Sequence, residues 1–459
     1  MYLTSRYKLF PAYNGKSFLC NAITGEIMLI GEPGLNALDA LRNSESIEDT
    51  DFVELLTQKS LVFGSPEEED IFFKQMCKES WDNYQKSAPS HYTFIINTRC
   101  NFNCPYCFEP ESFRIKNHSL QKYQIDAAFR LIDQRIAENP GQKKTSTEIF
   151  GGEPLLPHSK PVLDYLLEKL VSYDYSASIQ TNGYYLLENL DILAKYRNHI
   201  GVIQITIDGP MDIHNKRRIL RDGANTFEKI AAGIDAFLEM NLPIHLDLRT
   251  NVDMDNLNCL EELVSIYKEK GWTRSEKIKY IAAPVENRSG NLAQTSKLLS
   301  WEALFDRVFP ISSDKGGIYD ISIFKAIGYF RSYFYNILYD LPTDNKSFPK
   351  VSYCDATAQK YIIFHPDGRI YPCPESVGME DLSIGQYYPD VYIDQKKIAL
   401  WQNQTILQRE QCKSCEISTF CGGGCVLAAL RTNGTMHKPV CEDAQEIIAL
   451  YLQKIVEGM

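Results

Sequence analysis

The sequence has no apolar run approaching the ~20 residues that a membrane-spanning helix needs. Its first residues, MYLTSRYKLFPAYNGKSF, lack the long apolar core of a secretory signal. A cytoplasmic protein with no membrane partner is therefore expected. Basic residues are too few to balance the acidic ones: 48 Lys and Arg against 59 Asp and Glu give a net charge of −11. Phosphate backbones want a basic face, so no nucleic-acid partner is expected either. The 44% hydrophobic and 23% charged residues are ordinary for a globular chain. Its 459 residues are enough for more than one domain.

Cysteine, by contrast, is abundant, with 13 residues. In a long cytosolic chain thiols stay reduced, and clustered cysteines more often bind metal than pair as disulfides. Ten of the 13 fall into two groups, at 100–107 and 354–441. Cys20, Cys77 and Cys259 stand alone and are expected to be buried structural residues.

Residues 90–290 repeat one arrangement six times: a short apolar strand, a polar or glycine-rich turn, and usually an amphipathic helix. The strands read YTFIINT, STEIFGG, SASIQTNG, GVIQITIDG, IHLDLRTN and IKYIAAPV. Between the first two, Ile125, Ala128, Phe129, Ile132 and Ile136 recur at helical spacing, with Ser119 as the expected N-cap. Such alternation implies a parallel sheet with right-handed crossovers, here a partial (β/α)6 barrel of the TIM type. Chemistry in such folds sits at the C-terminal ends of the strands. Residues 1–86 read differently. Two strands joined through Asn14-Gly15, a hairpin signal, precede two short helices and the strand LVF. Ser65 then caps a helix opening with Pro66 and three glutamates. This fits a small winged-helix-like module. Residues 291–353 read as a helical bridge with ordinary core packing, and 354–459 as a cysteine-rich domain.

The stretch NTRCNFNCPYCFE holds Cys100, Cys104 and Cys107 in the pattern C-x3-C-x2-C directly after the first strand. Three thiolates can hold three irons of a [4Fe–4S] cluster and leave the fourth iron open, as catalytic zinc sites also keep an open position. Zinc and a purely structural cluster are the alternatives for the triplet alone. This pattern at the mouth of a partial barrel resembles the radical S-adenosylmethionine (radical SAM) enzymes. The resemblance implies that the open iron chelates the amino and carboxylate groups of SAM. An electron from the cluster then yields a 5′-deoxyadenosyl radical, which takes hydrogen from substrate. Tyr106 stands where the family favours an aromatic residue. FGGEP, Phe150 to Pro154, resembles the family's GGEP motif, which implies that backbone groups of Gly151, Gly152 and Glu153 receive the SAM amino group. TIDGPMDIHNKRR resembles a stretch of the peptide- and protein-modifying branch. There a hydroxyl and an arginine hold the SAM ribose and carboxylate, by position Thr206 and Arg218. Thr replaces the more usual Ser and keeps the hydroxyl. LRTN, Leu248 to Asn251, implies a further contact, and His214 is expected to be a structural hydrogen-bonder.

In the second group, Cys354 is followed by Gly368 and Cys373, then by Cys412, Cys415, Cys421, Cys425 and Cys441. HPDGRIYPCPE around Gly368 reads as a hairpin with its turn at Asp367-Gly368. A zinc ribbon is the plain alternative. The spacing resembles the seven-cysteine SPASM pattern, which implies two auxiliary [4Fe–4S] clusters. One would take Cys412, Cys415, Cys421 and Cys441, the other Cys354, Cys373 and Cys425. No cysteine lies between Cys354 and Cys373. The second cluster is therefore completed by another group, reached by Cys20, Cys77 or Cys259, or left open for a substrate thiolate. The resemblance implies an oxidoreductase that modifies a precursor peptide with a leader, and a reductant such as flavodoxin or ferredoxin. The modification expected first is a cysteine thioether, and otherwise a carbon–carbon crosslink. Residues 1–86 would bind the leader by strand addition, with dimerisation or a structural lid as other roles for them. The alternatives are a sulfatase-type maturase, which makes formylglycine from Cys or Ser in a protein, and a non-catalytic iron–sulfur electron carrier.

Overall fold

The structure, a computed structural model, describes residues 1–45, 50–109, 117–138, 147–287, 295–321, 327–338, 348–441 and 444–456. Ser146 of the second expected strand, the boundary at 290/291, and residues 322–326 and 339–347 of the expected bridge lie outside the described residues. The chain divides into two compact units. One joins Met1–Lys86 with Phe324–Ala358 and Gln402–Met459, and the other joins Ser87–Ile323 with Gln359–Trp401.

In the first unit, β1 (Tyr2–Leu3) pairs with β5 (Val62–Phe63), and β2 (Tyr7–Pro11), β3 (Ser17–Asn21) and β4 (Ile27–Ile30) form an antiparallel sheet in that order. The β2–β3 turn holds Asn14 and Gly15 at φ 51° and 73°. Two successive positive φ angles suit the primed hairpin turn, and Asn-Gly meets that demand at little strain. Helices Glu32–Arg42, Thr50–Gln58 and Pro66–Ser87 follow. The last starts as expected, with Ser65 Oγ accepting from the Glu68 N–H at 3.3 Å and three glutamates in its first turn. Tyr7, Leu19, Ile30, Leu38, Leu56, Leu61 and Val62 make one core of this module.

The second unit is built on one eleven-stranded sheet. The six expected strands are present as β6 (His91–Ile95), β7 (Thr147–Phe150), β8 (Ala177–Thr181), β9 (Ile200–Thr206), β10 (His245–Val252) and β11 (Ile278–Pro284). They lie parallel and in chain order. The sheet continues beyond both edges of this set. β12 (Tyr319–Asp320) adds parallel to β11, and β13 (Tyr361–Phe364) adds parallel to β6. β14 (Arg369–Tyr371), β15 (Gly385–Gln386) and β16 (Tyr392–Ile393) then continue antiparallel. The β13–β14 hairpin turns at Gly368 with φ 90°, as its Asp-Gly signal indicates.

Helix Lys122–Glu138 buries Ile125, Ala128, Phe129 and Ile132, while Ile136 lies exposed one turn on. Its start departs from expectation. Ser119 is taken by a bridge to Asn97, and Gln124 Oε1 instead accepts from the Gln121 N–H at 2.9 Å. Parallel order sends the C-termini of β6 to β13 to one end of the sheet. Among the described residues no helix is long and apolar enough to cross a membrane.

Candidate active site

A cavity of about 380 Å³ opens at those strand ends. Its wall includes Cys100, Cys104, Cys107 and Tyr106 after β6, Gly151 and Gly152 after β7, Thr206 at the end of β9, and Arg218.

The two glycines seat the cysteine loop. A Cβ at Gly151, which has φ 105°, would lie 2.5 Å from Ile95 Cγ2 and 2.7 Å from the Asn97 carbonyl oxygen. A Cβ at Gly152 would collide with the main-chain carbonyl of Arg99, the residue before Cys100. Only glycine lets the root of the loop lie this close to the end of β7. Glu153 closes the arrangement. Its N–H donates to Arg99 O at 2.7 Å, and its carbonyl accepts from Asn97 Nδ2 at 2.9 Å. Its fully buried carboxylate accepts from Thr181 Oγ1 and the Asn182 N–H, both at 2.6 Å, and from the Leu155 N–H at 2.8 Å. Burial pushes the Glu153 pKa up, and these bonds act against that rise. Glu153 thus ties the cysteine loop to the ends of β7 and β8 from beneath the cavity. Asn182 carries the link back, donating to Asn101 Oδ1 at 2.8 Å and to Cys100 Sγ at 3.9 Å.

Tyr106 joins the third cysteine to the β9 side. Its hydroxyl donates to Asp208 Oδ2 and accepts from Arg218 Nη1 at 2.8 Å. Asp208 is fully buried and also accepts from the Asn251 N–H at 2.9 Å. The two adjacent arginines have different fates. Arg217 is neutralised, with Nη1 2.5 Å from Asp253 Oδ1 and Nε 3.7 Å from Asp208 Oδ2. Arg218 is buried to 8% exposure, and among the described residues it pairs with no carboxylate and its Nε has no hydrogen-bond partner. A buried guanidinium without an anion is costly, and this one faces the cavity beside three thiols. His214 is fully buried against Phe227, and its Nδ1 accepts from the Asp208 N–H at 3.3 Å. Burial and the two arginines hold its pKa well below the usual range, so it is a neutral structural ring.

Burial raises the Cys100 thiol above its ordinary pKa, with Glu153 and Cys104 adding to the shift. Iron reverses that balance by stabilising thiolate. Among the described residues no group of three or more His, Cys, Asp or Glu side chains is placed to hold a metal ion. The triplet is therefore defined by its shared cavity wall and not by a closed shell. Three soft donors beside an unpaired cation suit an iron–sulfur cluster together with a ligand carrying a carboxylate.

Sequence reasoning did not single out Asp208, Arg217, Asn182 or Glu148. Glu148 on the cavity wall accepts from Thr93 Oγ1 at 3.1 Å and also from Gln180 Nε2 and the Tyr361 hydroxyl. Glu148, Gln180 and Gln204 share one available signal. Each is a carboxylate or amide side chain within a strand of the parallel sheet, where such long polar groups are uncommon.

Cys373 follows β14, and the next two residues, Pro374 and Glu375, line the same cavity. The other six cysteines of the second group belong to the first unit. There Gly422, Gly423 and Gly424 have φ 77°, 91° and 76° in succession. A Cβ on Gly422 would stand 2.6 Å from Ser352 O, and one on Gly424 would strike Val440 O. The triple glycine between Cys421 and Cys425 therefore admits the chain just before Cys354 and just before Cys441. Of the solitary cysteines, Cys20 and Cys77 are fully buried, and Cys77 packs in one core with Cys412. Burial pushes both the Cys77 and the Cys412 thiols up to about 12. Cys259 is only partly buried, and its Sγ donates to Asn256 O at 3.1 Å.

A parallel sheet with a three-cysteine loop at the C-terminal end of its first barrel strand is the framework of a radical SAM enzyme. The family model of the Radical SAM superfamily matches residues 94–266, so the chain contains a radical SAM domain, followed by a cysteine-rich C-terminal region. It is 22% identical to a cysteine-type anaerobic sulfatase-maturating enzyme of Clostridium novyi, over 78% of this chain and 94% of that one. It is 23% identical to the antilisterial bacteriocin subtilosin biosynthesis protein AlbA of Bacillus subtilis, over 78% and 71%. In fold it is similar to Streptococcus suis SuiB bound to precursor peptide SuiA, with TM-score 0.55 and 14% identity, over 97% of this chain and 99% of SuiB.

Proposed function

We propose that this chain is a peptide maturase that installs a cysteine thioether, or failing that a carbon–carbon crosslink, in a ribosomally made precursor peptide. The observation that carries this reading is the triplet cavity with its unpaired Arg218, in a chain that also has the seven-cysteine region and the N-terminal strand–helix module. When bound, a [4Fe–4S] cluster and SAM supply the 5′-deoxyadenosyl radical that takes hydrogen from an unactivated carbon. Cys100, Cys104 and Cys107 hold that cluster. Arg218 pairs with the SAM carboxylate, Thr206 meets the ribose, and main-chain groups at Gly151, Gly152 and Glu153 receive the amino group. Tyr106 keeps Arg218 aimed at the cavity. The seven C-terminal cysteines would hold two auxiliary [4Fe–4S] clusters, which would supply a site for a substrate thiolate or an acceptor for the electron left after bond formation. An external reductant such as flavodoxin or ferredoxin supplies the electron for SAM cleavage. The N-terminal module takes the leader as an added strand. The full-length likeness to SuiB, whose structure holds a precursor peptide, and the likeness to AlbA support a peptide substrate.

The likeness to a sulfatase-maturating enzyme favours a second reading, oxidation of Cys or Ser to formylglycine in a protein. Anaerobic co-expression with each short cysteine-containing reading frame beside the gene separates the two. Mass spectrometry before and after thiol alkylation reads the product. A peptide lighter by two hydrogens whose cysteines no longer alkylate is the expected result. The same loss with free thiols indicates a carbon–carbon crosslink, and no change in any peptide moves the assignment to the sulfatase-type reaction.

A further inference from the structure

Arg409 is fully buried. Its guanidinium donates to neutral acceptors: Gly423 O, Gly424 O at 3.2 Å, Met436 O at 2.8 Å and Gln404 Oε1 at 3.4 Å. Among the described residues no carboxylate pairs with it. It sits among the clustered cysteines by contact: the Cys412 N–H donates to its carbonyl at 2.9 Å, and Gly423 and Gly424, whose carbonyls it holds, directly precede Cys425. Burial lowers its pKa, and the Cys412, Cys425, Cys354 and Cys421 thiols act against that. An arginine is almost never left without a counter-charge in a protein interior, because desolvating the cation alone is expensive. Its carbonyl partners satisfy hydrogen bonds but do not cancel the charge. What can cancel it is negative charge on the thiols around it, which thiolates bound to iron would carry.

We infer that Arg409 is the fixed internal counter-charge of the auxiliary iron–sulfur clusters and raises their reduction potentials. This rests on the reading that the C-terminal cysteines hold such clusters. One-electron reduction adds one negative charge to a cluster and breaks no bond. A nearby fixed cation stabilises the reduced state, and cluster potentials respond to local charge and burial. The effect would poise the clusters to take the electron released when the substrate radical forms its new bond.

The test uses full-length protein with Cys100, Cys104 and Cys107 replaced by Ala, reconstituted anaerobically with iron and sulfide. Reduction is followed by EPR against dithionite, with Arg409→Gln and Arg409→Lys compared in that background. The expected result is that Arg409→Gln keeps its iron and titrates at a lower potential. The one-electron equilibrium should shift at least tenfold, about 59 mV, while Arg409→Lys stays near the parent. Loss of iron in the Gln variant alone, with the Lys variant intact, also supports the counter-charge. Two results overturn it: iron retained with an unmoved potential in Arg409→Gln, or equal loss of iron in both variants. The latter would mean that Arg409 only braces the glycine turn. If the parent protein itself binds no iron, the reading of auxiliary clusters fails first, and this inference falls with it.

Discussion

Replacing Gly152 with Ala tests whether close approach of two main chains builds the catalytic loop. The three atoms nearest the new Cβ are main-chain atoms of Arg99: its oxygen, its carbonyl carbon at 2.5 Å and its nitrogen at 2.8 Å. Ordinary contact begins at 3.4 Å, so the carbonyl carbon must retreat by about 0.9 Å. These nearest atoms are main chain, not the yielding end of a flexible side chain. Overpacking of this kind costs about 1–3 kcal/mol. The displaced residue directly precedes Cys100 and is held by the Glu153 N–H at 2.7 Å. A misplacement near 1 Å can cost on the order of 100-fold in rate. The assay pairs denaturant unfolding of the protein with SAM cleavage by the reconstituted enzyme. Gly328→Ala is the control, because a methyl there meets nothing within 4 Å. We expect Gly152→Ala to lose about 1–3 kcal/mol of stability and roughly 100-fold in cleavage, and the control to lose neither. Native stability and cleavage in Gly152→Ala would refute the reasoning.

Arg218→Gln removes the unpaired cation of the cavity. Loss of a charge-assisted hydrogen bond costs about 1.5–3 kcal/mol, so SAM should bind roughly 10- to 150-fold more weakly by equilibrium titration. Unchanged affinity would remove Arg218 from the SAM site. Asp367 tests the hairpin that leads to Cys373. Burial pushes its carboxyl up, but His365 and Arg369 outweigh that and hold it down to about 2. A folded pKa below the ordinary 3.8 contributes stability that is full above that value and lost as pH falls toward 2. Asp367→Asn should therefore cost about 2 kcal/mol near neutral pH. The gap from the parent should shrink by about half between pH 5 and pH 3 in denaturant titrations, and a gap that is constant with pH would contradict the assignment.

The features legible in the sequence were local ones. The six strands β6 to β11 announce themselves because each is a short apolar run closed by a turn, and Asn14-Gly15 and Asp367-Gly368 fix their hairpins by φ alone. β12 is only two residues long and carries no periodic pattern. Parallel pairing of β13 with β6 joins segments far apart in the chain, and nothing local marks it. Ser119 has the chemistry of a cap, yet tertiary pairing with Asn97 claims that residue. At the site, the cysteines stood out by spacing, and the glycines, Tyr106, Thr206 and Arg218 by the resemblance of their stretches to motifs of the radical SAM family. The groups that hold them did not. Asp208 and Arg217 gain their roles from Tyr106 and Asp253, which lie elsewhere in the chain. Arg409 looks like any surface arginine until its burial among cysteines is seen.

The most direct test of the central claim is reductive SAM cleavage by anaerobically reconstituted protein, read as 5′-deoxyadenosine by chromatography. The intact chain and the variant with Cys100, Cys104 and Cys107 replaced by Ala would be compared under dithionite, with iron counted in both. The account predicts 5′-deoxyadenosine from the intact chain alone, and a variant that cleaves no SAM while keeping the iron of two auxiliary clusters. Cleavage that persists without the triplet, or its absence from the fully loaded intact chain, would contradict the account.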